Sequence, residues 1–259
     1  MAVANVQAVG LSNNSSVDML LTGAKWGSSS LTYSFRSVAP TQAELDEYGE
    51  NYANGFAELN TTQKTAVRTI LGRWSEVCNL TFSEIADTGT GGVLRFGTCS
   101  STVVPTSCAY YPGNTEAAGD VWLGNSNDNA PDNPLAGGYD YMTIVHEIGH
   151  TLGLKHPHDA DPPFPVGDAA VDAMQSSAMS YKSYMGSTDD SYVNAAGSYI
   201  YGPMACDIAA AQYDYGANYQ FNSGDTVYSF SPAKDKIFET IWDGGGNDTL
   251  DFSGFSQNQ

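Results

Sequence analysis

Apolar positions follow the period of an amphipathic helix in one stretch of the chain. Between residues 61 and 77 they recur at helical spacing, at Val67, Ile70, Leu71, Trp74 and Val77. Asn60 precedes Gln63 by three residues, which is the spacing of a helix N-cap and its polar partner. The pattern therefore predicts a helix over 61–77 with one buried face.

Two further helices are predicted in the second half of the chain. One opens at Asp140, and its buried face is formed by Tyr141, Ile144, Val145, Ile148 and Leu152. On this helix His146 and His150 lie one turn apart on a different face. The other helix begins near Pro203, a residue that suits the first helical turn, and stops at Gly216.

Short runs of β-forming residues predict strands at 31–35, 80–85, 93–97, 109–111 and 120–124. Residues 157–178 form an acidic, proline-bearing stretch that predicts an irregular loop. Residues 1–17 are mostly small and polar, so we expect a flexible N-terminal segment before a main domain over 18–218.

The segment after Asn218 has a different sequence pattern, in which glycine and aspartate alternate with single apolar residues. Its sequence GGGNDTLDF matches the nonapeptide pattern G-G-x-G-x-D-x-U-x in part, with Asn247 at the fourth position. Repeats of this pattern build calcium-bound parallel β-rolls. Residues 219–259 are therefore predicted to be the beginning of such a roll.

The chain carries a strong excess of acidic groups, with 29 Asp and Glu against 10 Lys and Arg and a formal charge of −19 over 259 residues. Such a surface repels phosphates, which argues against nucleic acid or an anionic membrane as a partner. The chain contains no run of 18 apolar residues, so no transmembrane helix is predicted. Its start, MAVANVQAVGLSNNSS, lacks the features of a secretory signal. We expect a chain that is cytosolic, already processed, or exported by a route that does not read its N-terminus.

The four cysteines form no CxxC pair, which argues against a thiolate zinc site. Cys99 and Cys108 flank the short loop SSTVVPTS, so they could form a local disulfide in an oxidising compartment or remain thiols. Cys78 and Cys206 could be a second bridge or two buried thiols.

All four histidines of the chain fall within the stretch HEIGHTLGLKHPH. Imidazoles at i and i+4 on one helix face point toward a common position, as two ligands of a tetrahedral metal must. Gly153 can take a positive φ, end the helix and turn the chain so that His156 reaches the same point. Three neutral nitrogens with a fourth position left open are typical of a catalytic zinc site.

Glu147 follows the first of these ligands but projects about 100° away around the helix. This places its carboxylate beside a zinc-activated water, where it can act as a general base. The alternative is two surface histidines and a solvated glutamate. The added Gly153 and His156, and the absence of histidine elsewhere, favour the metal site.

Downstream, the stretch AMSYKSY contains Met179 and Tyr181. Alone, the methionine would be ordinary core filling and the tyrosine a partly exposed aromatic. HExxHxxGxxH followed by a methionine turn is the metzincin signature. With Met-Ser-Tyr at the turn, the chain resembles the serralysin group of secreted zinc endopeptidases. Other segments similar to this group occur in the same order: LLTGAKWGSSSLTYSF, AYYPGN, YGPMACDIAAAQYDYGAN, SGDTVYSF and DGGGNDTLDFSGF.

The resemblance covers about residue 18 to the end and implies an α+β metzincin fold: a mixed, mainly parallel twisted sheet with a long active-site helix, followed by the start of a calcium-binding parallel β-roll. It implies zinc on His146, His150 and His156, with Glu147 as general base. Tyr181 would be a weak zinc ligand that also stabilises the oxyanion. Met179 would form the floor under the metal.

For calcium, the resemblance implies ligands on two successive turns of the roll, namely Asn222, Gly224, Thr226, Asp243, Gly245 and Asp248. Oxygen donors at two-residue steps suit this hard cation. The chain departs from the serralysin pattern in its four cysteines and in its short roll. We therefore expect a C-terminally short member of the group.

The resemblance implies a secreted zinc endopeptidase that hydrolyses extracellular proteins and reaches the outside by type I export, without an N-terminal signal peptide. Protein or peptide substrates and a small proteinaceous inhibitor are the expected partners of a monomer. The alternative is a calcium-dependent extracellular binding or adhesion module with a non-catalytic zinc site. The presence of Glu147 and Tyr181 argues against this alternative.

Overall fold

The structure is a computed structural model that describes residues 5–127, 130–188, 191–231 and 236–256. Its strands are β1 (Val6–Ala8), β2 (Ala24–Trp26), β3 (Ser30–Phe35), β4 (Thr81–Glu84), β5 (Leu94–Cys99), β6 (Ser107–Ala109), β7 (Asp120–Gly124), β8 (Val227–Ser229) and β9 (Thr249–Asp251). Its helices are α1 (Ser15–Asp18), α2 (Gln42–Tyr48), α3 (Thr61–Val77), α4 (Tyr139–Thr151) and α5 (Ala205–Tyr215).

Five strands form the central sheet in the order β4-β3-β5-β7-β6. All neighbours in it are parallel except β6, which runs antiparallel to β7 at the edge. Every residue of β5 and β7 is buried, as expected for central strands covered on both faces. The predicted α+β class with a mainly parallel sheet is confirmed.

Helix α3 occupies the range predicted for it and is capped as predicted. The Gln63 amide donates to Asn60 Oδ1, and the Asn60 amide donates to Gln63 Oε1, each over 2.8 Å. These two bonds satisfy amides that the first helical turn leaves without partners. Trp74 is fully buried in the main core.

Helix α4 is buried on all sides from Tyr141 to Thr151, and not on one face as the apolar pattern predicts. Ile144 and Ile148 lie in the main core, and His146 and Glu147 are also buried. The second face is covered by strand β6, which contacts Glu147, and by the segment after the helix, which contacts His146. Polar side chains on that face therefore lie inside the protein.

One helix prediction needs correction, and one helix was missed. Helix α5 begins at Ala205 with Met204 as its N-cap, so Pro203 lies before the helix and not in its first turn. Helix α2 was not predicted. Its signal is the capping box formed by Thr41 and Glu44, which precedes a helix too short to show a clear period.

The N-terminal segment, which its composition predicts to be flexible, contains the strand β1 and the short helix α1. Strand β1 pairs antiparallel with β2, and Val6 and Val9 pack against the main core. Asn14 caps α1 through a bond from the Ser16 amide. Backbone pairing with a distant strand thus outweighs the polar composition, while residues 1–4 lie outside the described residues.

At the other end of the chain, β8 and β9 pair in parallel, with Tyr228 opposite Leu250. Parallel strands joined by one long connection are the repeating unit of a β-roll. The Trp242 indole N–H donates to the Asn218 carbonyl over 2.9 Å, which ties this unit to the end of the main domain. Residues 219–231 and 236–256 therefore form the beginning of a β-roll.

Of the two alternatives left open for Cys99 and Cys108, the structure has the thiols, and all four cysteines are free. Cys99 on β5 is opposite Gly124, and Cys108 on β6 is opposite Trp122, so β7 lies between the two cysteines. Two interstrand spacings separate their Cα atoms by roughly 9–10 Å. A disulfide tolerates up to about 7 Å.

None of the described helices is both long enough and apolar enough to span a bilayer.

Candidate metal centre

The structure brings His146, His150 and His156 together. The Nε2 atom of His156 lies 3.2 Å from that of His146 and 3.1 Å from that of His150. Two nitrogens that each bind a tetrahedral zinc at 2.0–2.1 Å are about 3.3 Å apart. The spacing of the three nitrogens therefore fits one zinc ion, with the fourth ligand position left to a non-histidine group.

Each of these imidazoles is oriented by an acceptor on its other nitrogen. The Nδ1 atoms donate to the Ala178 carbonyl over 2.8 Å from His146, to the Leu154 carbonyl over 2.7 Å from His150, and to Asp159 Oδ2 over 2.8 Å from His156. Carbonyl and carboxylate oxygens only accept, so the proton lies on Nδ1. The Nε2 lone pairs are therefore free to bind a metal.

Burial keeps the three histidines neutral. Desolvation lowers the pKa of His146 to about 3 and holds the pKa of His150 well below its usual value. The pKa of His156 is also lowered by burial, although Asp159 opposes this. Neutral imidazoles are the form that binds zinc.

Gly153 makes the turn that returns His156 to the helix. Its φ is +100°, in the left-handed region, and a Cβ at this position would lie 2.4 Å from the Ala24 carbonyl oxygen. The chain then runs beside the N-terminal segment, where the Lys155 amide donates to the Leu20 carbonyl over 2.7 Å. Only glycine fits this position without moving the N-terminal segment.

Glu147 is buried beside the histidine cluster and has one hydrogen-bond partner. Ser107 Oγ on β6 donates to its Oε1 over 2.6 Å, while the buried Oε2 has no partner among the described residues. Desolvation raises the pKa of Glu147 to about 7, and the Ser107 bond opposes this shift. A carboxylate with one oxygen fixed and the other free can accept and return a proton near neutral pH.

Met179 packs directly beneath helix α4. Its side chain is fully buried, and its sulfur lies 2.5 Å from where a Cβ on Gly149 would be. Gly149 is thus required for this close approach, a role that the sequence pattern did not reveal. It is the only glycine between the first two predicted ligands.

The aromatic ring of Tyr181 lies over the histidine cluster and remains 37% exposed. Its centroid is 4.5 Å from that of His156 and 5.5 Å from that of His146. Burial of the hydroxyl raises the pKa of Tyr181 to about 12, so it stays a proton donor in hydrogen bonds. The ring of His158 stacks on that of His156, with their centroids 5.0 Å apart.

Asp207 on α5 fixes the segment that carries both Met179 and the acceptor of His146. Its carboxylate accepts from Ser177 Oγ over 2.6 Å and from the Ala178 amide over 2.7 Å. It also caps α5 by accepting from the Met204 amide over 2.8 Å. An acidic residue in a first helical turn was the available signal for it.

A cavity of about 600 Å³ opens beside His146 and Glu147. Its wall includes Tyr139, Tyr192 and Tyr199, and the centroids of the last two lie 6.0 and 5.7 Å from that of Tyr139. Among the described residues that line it there is no Lys or Arg, and Glu147 is the one acidic side chain. The part of the cavity walled by tyrosines is therefore suited to a large uncharged group.

The structure places the two predicted calcium half-sites next to each other. The Thr226 amide donates to Asp248 Oδ1 over 3.0 Å. The Tyr228 hydroxyl joins the halves by donating to Asp243 Oδ2 over 2.5 Å and accepting from Asn222 Nδ2 over 3.0 Å. The remaining predicted ligands on these turns are Gly224 and Gly245. Calcium binding by these residues stays a prediction.

Comparison with known proteins agrees with this geometry. Residues 25–162, more than half of the chain, match the family model described as Matrixin, and residues 207–259 match the one described as Peptidase M10 serralysin C terminal. The metalloprotease AprA of Pseudomonas entomophila is 37% identical over 93% of this chain and 54% of its own length. Serralysin G of Dickeya chrysanthemi is 37% identical over 90% of this chain and 51% of its own.

The serralysin of Proteus mirabilis is 33% identical over 88% of this chain and 50% of its own length. The chain thus spans about half the length of the curated relatives that it matches. A matrixin region with the metzincin fold is followed in this chain by the serralysin C-terminal region. The chain therefore belongs to the serralysin group of the matrixin family.

Proposed function

We propose that the chain is a zinc-dependent endopeptidase of the metzincin type, with His146, His150 and His156 as the zinc ligands. The observation that carries this proposal is the convergence of three imidazoles whose Nδ1 atoms are already paired, with the Nε2 atom of His156 3.2 and 3.1 Å from those of His146 and His150. Bound zinc would supply the Lewis acidity that makes water nucleophilic and polarises a peptide carbonyl.

Glu147 is the general base of the proposed reaction. Its free Oε2 takes the proton of the attacking water and passes it to the nitrogen of the leaving amine. Ser107 holds the other oxygen, so the carboxylate does not rotate between these steps. A pKa of about 7 for Glu147 allows both transfers near neutral pH.

Tyr181 donates a hydrogen bond to the oxyanion that develops on the substrate carbonyl. Its ring lies against His146 and His156, which supports this role and a weak interaction of its oxygen with the metal in the resting enzyme. Met179 forms the apolar floor beneath the zinc ligands, because its side chain packs against Gly149 on the underside of helix α4.

An extended peptide segment is the proposed substrate. Strand β6 is the edge of the sheet, so its outer side can pair with a substrate backbone beside Glu147. The cavity with Tyr139, Tyr192 and Tyr199 would take a large uncharged side chain of the substrate. We propose the monomer as the active form and a small proteinaceous inhibitor as a further ligand of this cleft.

We further propose 18–218 as the catalytic unit and 219–259 as the start of a calcium-binding roll. The two turns that carry Asn222 to Thr226 and Asp243 to Asp248 are adjacent, which supports calcium binding between them. A roll of this kind and the acidic surface suit an extracellular protein exported by a type I route.

The test is digestion of casein by the wild-type chain, by chelator-treated chain and by Glu147→Gln. The variant should keep one zinc per chain and lose activity by a factor of about 10²–10⁴, because it lacks a base. The exposed Glu50→Gln is the matched control and should digest at the wild-type rate. A Glu147→Gln protein as active as wild type would show that the proposed mechanism is wrong.

A further inference from the structure

Lys155 is buried next to the third predicted zinc ligand, with only 2% of its surface exposed. Its ammonium group lies among backbone carbonyl oxygens. It donates to the carbonyls of Met19 over 2.7 Å and of Asp159 over 2.8 Å, and its third N–H lies between the carbonyls of Pro165 at 3.3 Å and of His156 at 3.4 Å. A buried lysine is rare, so this arrangement needs a cause.

The charge of Lys155 is balanced by carbonyl dipoles that contact the ammonium and by the nearby carboxylates of Asp159 and Asp161. Among the described residues no carboxylate forms an ion pair with it. The Met19, Asp159 and Pro165 carbonyls accept no backbone amide of the described part of the chain. Within the described part of the chain these oxygens have the ammonium as their hydrogen-bond donor, and an apolar replacement would leave the carbonyl of the fully buried Met19 unpaired.

The four carbonyls belong to two segments that must meet for His156 to reach the metal. Met19 is fully buried in the main core and serves as the fixed point. His156, Asp159 and Pro165 belong to the segment after α4. Asp159 also orients His156, because its carboxylate accepts from Nδ1 over 2.8 Å. The Lys155 ammonium thus links Met19 in the core to His156 and to Asp159, the residue that orients His156.

We propose that Lys155 is a positioning residue of the zinc site, an internal cation that holds the segment 156–165 so that His156 completes the triad. This inference rests on the proposed zinc-binding function. The cage of oxygens is of the kind that binds a free cation. Here the cation is the Lys155 ammonium, which always occupies the cage because it is part of the chain.

The first test measures zinc affinity by competition with a chelator. Lys155→Met keeps the length of the side chain and removes the charge, and it should bind zinc about 10–100-fold more weakly than wild type. Lys25→Met is the matched control, since Lys25 Nζ also donates to a backbone carbonyl, that of Asp214, away from the triad. Its zinc affinity should not change.

Cobalt substitution provides a readout that does not depend on activity. The visible spectrum of bound Co²⁺ reports the geometry of its ligands. It should differ from wild type in Lys155→Met and be unchanged in Lys25→Met. Identical spectra and equal zinc affinities for Lys155→Met and wild type would overturn the inference.

A second variant covers the case in which Lys155→Met does not fold. Lys155→Ala removes three methylenes and the ammonium, which propylammonium can replace. Propylammonium should restore zinc binding at least several-fold, whereas tetramethylammonium, which has no N–H, should not. Equal effects of the two cations, or no effect of either, would overturn the inference.

The same measurements separate this inference from the proposed function. A wild-type chain that binds no zinc would overturn the proposed function and the inference with it. A wild-type chain that binds zinc tightly, with Lys155→Met equally tight, would overturn the role of Lys155 alone.

Discussion

Ser107 and Glu147 are joined by a 2.6 Å hydrogen bond between the edge strand β6 and the helix α4, across 40 residues of sequence. The bond engages Oε1 and leaves the buried Oε2 of Glu147 without a partner among the described residues. The edge of the sheet therefore determines which oxygen of the proposed base is free to act.

Replacing Ser107 with Ala should lower kcat about 10-fold and leave KM and zinc content unchanged, because the carboxylate can then rotate. The Ser107 bond opposes the upward shift of the Glu147 pKa, so its loss should raise this pKa further above about 7. The base must be ionised, so the acidic limb of the pH–rate profile should move to higher pH. Ser107→Thr keeps the hydroxyl and should keep the wild-type profile; a wild-type profile in Ser107→Ala would contradict this role.

Replacing Gly149 with Ala should destabilise the fold by about 1–3 kcal/mol, because the new Cβ would lie 2.5 Å from the buried Met179 sulfur. Urea unfolding measures this loss. Gly72→Ala in the exposed middle of α3, where nothing lies within 4 Å, is the control and should stabilise by about 1 kcal/mol. If Gly149→Ala behaves like Gly72→Ala, the proposed contact with Met179 is not formed.

Replacing Gly153 with Ala should weaken zinc binding and lower the melting temperature. The left-handed backbone alone costs about 1–2 kcal/mol, and the Cβ would also meet the Ala24 carbonyl at 2.4 Å. Gly186→Ala is a matched control, since its φ is +78° and nothing lies within 4 Å. Both variants should lose stability, but only Gly153→Ala should lose zinc affinity. Equal zinc affinities of the two variants would contradict the role of the Gly153 turn in placing His156.

Stability at acid pH should depend on Glu44, which lies between Arg36 and Arg95 at 2.9 and 2.8 Å. Burial alone would raise the Glu44 pKa, but the Thr41 amide and the two guanidinium groups lower it to about 2 from 4.5. The folded-state pKa is the lower one, so this stabilisation is complete above pH 4.5 and is lost as pH falls toward 2.

Urea unfolding at several pH values measures this dependence. Glu44→Gln should be less stable than wild type at neutral pH, and the difference should shrink as the pH falls through this range. The exposed pair Glu84–Arg68 provides the control, because Glu84→Gln should change stability by at most about 1 kcal/mol. A pH-independent difference for Glu44→Gln would contradict the ion-pair account.

Local spacing was enough to predict several parts of this protein. The helix over 61–77 follows from its apolar period and from the Asn60–Gln63 cap, because both depend on residues within one or two turns. The triad also follows from spacing, since i and i+4 positions share a helix face and Gly153 can reverse the chain. The strands at 120–124 and 31–35 follow from short β-forming runs.

Contacts between distant segments were decided only by the tertiary structure. The bonds from Ser107 to Glu147 and from Ala178 to Asp207, and the contact of Met179 with Gly149, join residues that no local period relates. The same holds for the strand neighbours of the cysteines and for the pairing of the N-terminal segment.

Strand β7 separates Cys99 from Cys108, although only a short loop lies between them in sequence. Strand β1 is ordered by pairing with β2 despite its polar surroundings. Sequence spacing therefore specifies which groups a helix or turn can present together. The order of strands in the sheet and the packing of the core decide which distant groups they meet, because these depend on the burial of the whole chain.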